Sequence, residues 1–310
     1  MINFIAKRKI GYTFSLTLFI LSIICLSVYG LNFGIDFKGG SILEMKFLQQ
    51  RPDVNTMTSK LSTLGLGEIN VQPVGGDEMI FRTKELKEDG HQKLVNGVFE
   101  AVKEGLPVDQ QKSSSKDQLI EELRFDSIGP SIGTELRKNS IYAIILALIA
   151  IISYITFAFR KVSYPIASWK YGLIAVLALI HDVTITIGFF SAFGHFLGIE
   201  INTPFVAAIL TVLGFSVHDT IVIFDRIREN LFKSHGEFEE TVNNSLNQTL
   251  ARSINTTLTT LIALTSVLIF GGSTVKDFAL ALLIGIFFGA YSSIFIAGPL
   301  LVTSYKMQKK

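Results

Sequence analysis

The chain has 310 residues, 49% hydrophobic and 17% charged, with a formal net charge of +2 and a mean hydropathy of +0.45. Soluble domains carry about 25% charged residues, so the composition points to a membrane protein. A charge this near neutral is too small to suggest a nucleic-acid partner, and no basic patch interleaves with aromatics. The one cysteine, Cys25, excludes disulfides and cysteine metal sites within a single chain.

Acids and bases crowd residues 44–138, and apolar runs fill the rest. A bilayer core about 30 Å thick needs about 20 apolar residues of helix. Six segments meet that length: Ile10–Tyr29, Ile141–Phe159, Tyr171–Phe193, Thr203–Phe224, Gln248–Phe270 and Phe278–Val302. Lys7, Arg8 and Lys9 precede the first, as in a secretory signal. Its apolar core is longer than a signal's, and no A-x-A site follows, so it reads as a retained anchor. Lysines and arginines of the short flanks collect on one side: Lys7–Lys9, Arg160, Lys161, Lys170, Arg226, Arg228, Lys233, Lys306, Lys309 and Lys310. The opposite short loops, 194–202 and 271–277, hold only Lys276. The bias expects both termini in the cytoplasm and the insert between the first two spans outside. The expected plan is residues 1–30 with the first span, 31–139 as a periplasmic domain, and 140–310 with spans two to six.

Within the insert, "SILEMKF" (Ser41–Phe47) alternates as a strand, and "DVNTMTSKLSTLGL" (Asp53–Leu66) opens on a capping residue with helical spacing. "EINVQPV" (Glu68–Val74) and "EMIFRTK" (Glu78–Lys84) pair around Gly75–Asp77, "GHQKLVNGVFEAVKEGL" (Gly90–Leu106) is a second helix, and "ELRFDSI" (Glu122–Ile128) a last strand. The order βαββαβ matches a ferredoxin-like α+β unit, so the predicted fold is a six-helix membrane protein with that domain inserted. "GIDFKGG" (Gly34–Gly40) reads as a tight turn opening no helix. The domain shows no nucleophile with its base, no metal cluster and no phosphate loop; neither an enzyme nor a cofactor is expected.

Ionisable groups within spans cost at least about 2.5–3.5 kcal/mol and are functional candidates by default. Asp219, in "GFSVHDTIVIFDRIREN", sits five residues before Phe224, roughly 7–8 Å inside the edge. Arg252 lies at similar depth in the fifth span, so the two can stand face to face as a titrating site; the plainer readings are a static salt bridge or an arginine snorkelling to the interface. Arg252, Asn255, Thr256, Thr259 and Thr260 draw one polar stripe, expected to face the protein interior or a wet cavity. Asp182 repeats the His-Asp dipeptide as "LIHDVTI" near the middle of the third span; it is either protonated or bonded to threonines of a neighbouring helix. His181 and His218 read as polar packing groups, and His195 as an outer-loop residue without special role. Ala281, Gly285, Gly289, Ser293 and Ala297 recur every fourth residue, the pattern of close helix packing, in this chain or against another.

These segments, with "FDSIGPSIGTEL" (Phe125–Leu136) and "SLNQTLARSINTTLTT" (Ser245–Thr260), resemble the SecF family of bacterial preprotein translocase subunits, in the family's order and spacing over nearly the whole chain. The resemblance implies a multi-pass inner-membrane protein of the resistance-nodulation-division superfamily. It implies pairing with SecD as a heterodimer, association with the SecYEG channel, and use of the proton motive force to draw preproteins outward. It maps the family's functional aspartate and arginine onto Asp219 and Arg252, working with an aspartate supplied by SecD. The assignment to protons rests on the resemblance alone. Where the family usually carries asparagine before the fourth-span aspartate, this chain has His218, which bears on the local proton path. Rival readings are half of a small-molecule or lipid exporter, against which one six-helix set and a small outer domain speak, and a non-transporting scaffold for SecD.

Overall fold

The computed structural model describes residues 1–107, 111, 115–159, 165–233 and 236–308. It divides into two compact units, Met1–Asn32 with Ser140–Lys310, and Phe33–Asn139.

The first unit is helical. Six helices are long and apolar enough to cross a membrane: Arg8–Tyr29, Pro130–Ala158, Ser168–Leu197, Thr203–Lys233, Phe238–Phe270 and Val275–Gln308. They are called the first to sixth membrane helices below. The third, fourth and sixth are mostly buried, and the first, second and fifth turn most of their surface outward. The fourth and fifth outrun the expected spans, because side chains outside the apolar region continue to hold them. Glu229 pairs with Arg226 and Lys233, each at 2.5 Å. Asn230 and Arg226 reach across to Ser245 and Gln248.

At the same end, Ile2 and Phe4 donate backbone N–H groups to Asn247 and Asn243. Glu239 takes both Arg8, at 3.1 Å, and Lys306. The start of the chain, the start of the fifth helix and the end of the sixth thus share one charged end.

The small-residue stripe of the sixth helix packs within the chain. A Cβ on Gly285 would stand 2.3 Å from Val212, and one on Gly289 would stand 3.0 Å from Ser216, both in the fourth helix. Ala281 and Ala297 are fully buried. After Ser292 the sixth helix widens into a π turn, Ser293–Ala297. Pro299 accounts for it: proline has no N–H to give Phe295, and its ring crowds that carbonyl. The Phe295 carbonyl lies against Gly11 of the first helix instead, 3.1 Å from where a Cβ would be.

His195 is not in a loop. The third helix continues through Leu197 to a left-handed Gly198 (φ 71°), because Phe193, Phe196 and Leu197 prolong the apolar pattern. The His195 ring stacks on Tyr29 at 4.2 Å.

The second unit is the ferredoxin-like α+β fold. Strands β1 (Gly40–Phe47), β2 (Asn70–Val74), β3 (Glu78–Thr83) and β4 (Ile120–Ile128) form an antiparallel sheet in the order β2-β3-β1-β4. Helices Val54–Leu61 and Glu88–Glu104 cover one face over a core of Leu43, Met45, Phe47, Met57, Phe81, Leu94 and Val98. Asp53 caps the first of these, accepting from the backbone of Asn55 and Thr56.

The GIDFKGG stretch differs from its expected turn by making one helical turn, Ile35–Lys38. Its glycines are required. Gly39 and Gly40 adopt φ of 77° and 132°, and Cβ atoms there would meet the Pro130 Cα and the Thr83 carbonyl oxygen, each at 2.8 Å. A Cβ on Gly133 would stand 3.0 Å from the Gly39 nitrogen. The two glycine-bearing segments, 34–40 and 125–136, therefore dock on each other.

Candidate functional site

The fourth membrane helix carries three inward polar groups, Ser216 and, one turn on, Asp219 and Thr220. Its opposite face, with Thr211, Gly214 and His218, is exposed. Asp219 is only 3% exposed, and its Oδ2 is buried without a hydrogen-bond partner among the described residues. Its Oδ1 lies 4.0 Å from His218 Nδ1, on a side chain that is 63% exposed. His218 therefore does not pack inside the chain; it stands on the outer surface.

Arg252 is on the adjoining fifth helix, and no ion pair within 4.0 Å joins it to Asp219 among the described residues. Arg252, Asn255, Thr256 and Thr259 are exposed, whereas Ser253 and Thr257, on the other face, are buried. The stripe expected to face the interior therefore lies on the outside of this chain. Thr256, Thr259 and Thr260 turn their hydroxyls back to carbonyls of their own helix, which lets threonine sit in an apolar setting. Arg252 and Asn255 have no such local remedy. The physical demand for a polar surrounding stands, and among the described residues nothing on that face of the chain meets it.

Asp182 has the opposite environment. It is fully buried in the third helix, and its Oδ2 accepts from Ser216 Oγ at 2.6 Å and Ser292 Oγ at 2.7 Å. Its Oδ1 lies 2.9 Å from His181 Nδ1. Serines of the fourth and sixth helices, not threonines, are its partners. The His181 ring lies parallel to Phe19 of the first helix, with centroids 6.2 Å apart, and its Nε2 is buried without a partner among the described residues. Next to this knot, Thr220 and Ser293 hydroxyls are 2.8 Å apart at the start of the π turn, a feature frequent at functional sites.

Ser216, Thr220 and Ser292 were not singled out by sequence reasoning. Lone hydroxyls in an apolar helix usually bond their own backbone, so only convergence from several helices marks these.

Comparison with known proteins gives concordant matches. The family model for the C-terminal region of the SecD/SecF protein export membrane proteins covers residues 108–307, and that for the SecD/SecF GG motif covers residues 26–49. A protein translocase subunit SecF of Thermobaculum terrenum is 43% identical over 98% of this chain and 94% of its own length. One of Anaerolinea thermophila is 38% identical over 97% and 94%. The crystal structure of SecDF from Thermus thermophilus, titled a translocon-associated membrane protein, superposes with a TM-score of 0.81 and 32% identity. It covers 98% of this chain, which spans only 39% of that larger chain. The chain belongs to the SecD/SecF family of protein export membrane proteins, as a translocase subunit of the SecF type.

Proposed function

We propose that this subunit works with a SecD partner in the bacterial inner membrane, both termini cytoplasmic, using the proton motive force to promote preprotein export through SecYEG. The observation that carries the reading is the pair of unfinished electrostatic groups on adjoining helices. A buried Asp219 has one carboxylate oxygen unsatisfied, and a cationic Arg252 stands on an outer polar face. Neither arrangement is stable in lipid by itself. A second six-helix subunit laid over the Thr211–Gly214–His218 face and the Arg252–Thr259 stripe would supply the missing polar surface. The match to under half of a longer SecDF chain supports this, since that protein carries more chain than the part matched here.

In this arrangement Asp219 is the group that gains and loses the proton. Burial favours the neutral acid and Arg252 favours the charged one, so opposed influences keep the acid exchangeable. A protonated Asp219 leaves Arg252 without its counter-charge, which favours a different helix packing. One proton crossing about 150 mV supplies about 3.5 kcal/mol, enough to bias a two-state element connected to the α+β domain.

The test is gradient-dependent preprotein translocation into inverted vesicles carrying this chain and its SecD partner, wild type against Asp219→Asn. Asparagine keeps the shape and cannot titrate. The expected result is an assembled complex whose translocation is no longer stimulated by the gradient. Full stimulation in the assembled variant would refute the assignment.

A further inference from the structure

We propose that His181 and Asp182 form a second proton-binding site of the membrane unit, separate from Asp219 and joined to its helix through Ser216. Three observations meet there. The Asp182 carboxylate is enclosed by two hydroxyl donors and one imidazole nitrogen, from three different positions on the helices. The His181 ring is fixed by that contact on one edge and by Phe19 on its face. Its second nitrogen, Nε2, is buried and unpartnered.

The hydrogen bond at Nδ1 sets the tautomer. With Asp182 ionised, Nδ1 carries the hydrogen and donates it, so Nε2 presents a bare lone pair. In that state the dyad holds a net charge of −1 deep in the membrane unit. Hydroxyl donors soften the cost of such a charge without cancelling it. One proton added at Nε2 forms an N–H bond, turns the ring into an imidazolium and brings the pair to zero net charge. All three contacts to the carboxylate are kept. The proton belongs to the pair as a unit.

Asp219 apart, the surroundings are hydroxyls, a phenyl ring and a thiol. The first helix offers Phe19 with buried Ser15 and Ser22, and Tyr12 and Cys25 further along. The fourth offers Ser216, with Asp219 one turn on; the sixth offers Ser292 and Ser293, with Tyr291 held to Ser15 and the Gly11 carbonyl. Among the described residues no lysine, arginine or glutamate pairs with the dyad. Ser216 ties the site to the rigid turn bearing Asp219, so a change of charge at the dyad is transmitted to that helix.

The site is read directly on the ring, independently of whether Asp219 couples a gradient. The full chain, labelled with 15N-histidine and placed in phospholipid nanodiscs, is followed by NMR from pH 5 to 9. The His181 signals are identified by their loss in His181→Gln. Should that variant misassemble, they are identified by their survival when the other four of the five histidines are glutamine. The expected result is one reversible protonation step in this range. It is abolished, or moved at least tenfold in proton concentration, by Asp182→Asn, and retained in Asp219→Asn. A ring held in one form throughout overturns the proposal. So does a step indifferent to Asp182→Asn, which would make His181 an isolated base, and so does one lost with Asp219→Asn, which would make the two sites one.

Discussion

Two aspartates follow histidines in neighbouring membrane helices, and their surroundings are reversed. Asp182 is tied to two other helices through Ser216 and Ser292 and to His181 of its own, each within 3 Å. Asp219, ten residues along the next helix from Ile209, is nearly as buried but keeps an oxygen without a partner. The two histidines differ in the same sense: His181 is clamped inside against Phe19, and His218 projects outward. The contrast teaches that the dipeptide carries no fixed role. What decides is which helix face it falls on. The inner face of the third helix meets packed neighbours within the chain, whereas Asp219 borders the peripheral fifth helix, whose polar face this chain leaves open.

The sharpest way to break the contrast between closed and open faces uses two glycines. Gly285 has Val212 at 2.3 Å from its absent Cβ, while around Gly214, its own turn of helix apart, no atom of the described residues comes within 4 Å. Gly285→Leu should therefore force the fourth and sixth helices apart and destabilise the purified chain by about 3 kcal/mol or more, at the upper end of overpacking costs. Gly214→Leu should change stability by no more than about 0.5 kcal/mol while weakening association with the partner subunit. Denaturant unfolding in detergent and copurification with SecD measure the two effects. Equal destabilisation by both would show that the Gly214 face is closed already.

A middle-sized effect separates the aspartates themselves. Asp182→Asn removes a carboxylate that accepts hydrogen bonds to a charged group, each worth about 1.5–3 kcal/mol, and should cost about 2 kcal/mol. Asp219→Asn removes a carboxylate with an unsatisfied oxygen, and should be neutral or stabilising by about 1 kcal/mol in the isolated chain. Unfolding curves that rank the variants the other way would reverse the roles given to the two sites.

Most of the fold was legible in the sequence, for reasons that also explain what was not. Twenty-residue apolar runs and period-two alternation report directly on the solvent each segment meets, and the βαββαβ order leads to the observed sheet. Ends were harder to place. The fifth helix begins at Phe238 rather than near Gln248 because ion pairs and amide bonds at the charged end sustain it where the apolar signal has stopped. His195 was assigned to a loop although Gly198, the actual stop, was visible as the first residue suited to a left-handed cap. Helical spacing correctly gathered Arg252, Asn255, Thr256 and Thr259 on one face. It could not say whether that face meets this chain or another, since periodicity fixes direction around an axis and not the identity of the neighbour. The Asp182 partners were hidden because Ser216 and Ser292 lie 76 residues apart and neither breaks an apolar pattern.

The smallest expected effect is the most direct probe of the open face. Arg252 is exposed and holds no ion pair within the chain among the described residues, so Arg252→Ala should leave the stability of the isolated subunit within about 0.5 kcal/mol of wild type. The same substitution should matter once the partner covers that face, because a guanidinium enclosed beside Asp219 then becomes its counter-charge and its loss leaves a buried carboxylate alone. Unfolding of the subunit with and without SecD measures the difference: near zero alone, and a loss of about 3 kcal/mol or more in the complex. A variant equally neutral in both settings would place Arg252 at the lipid interface, its charge reaching water along its own side chain, and would leave Asp219 to be balanced by a group of the partner.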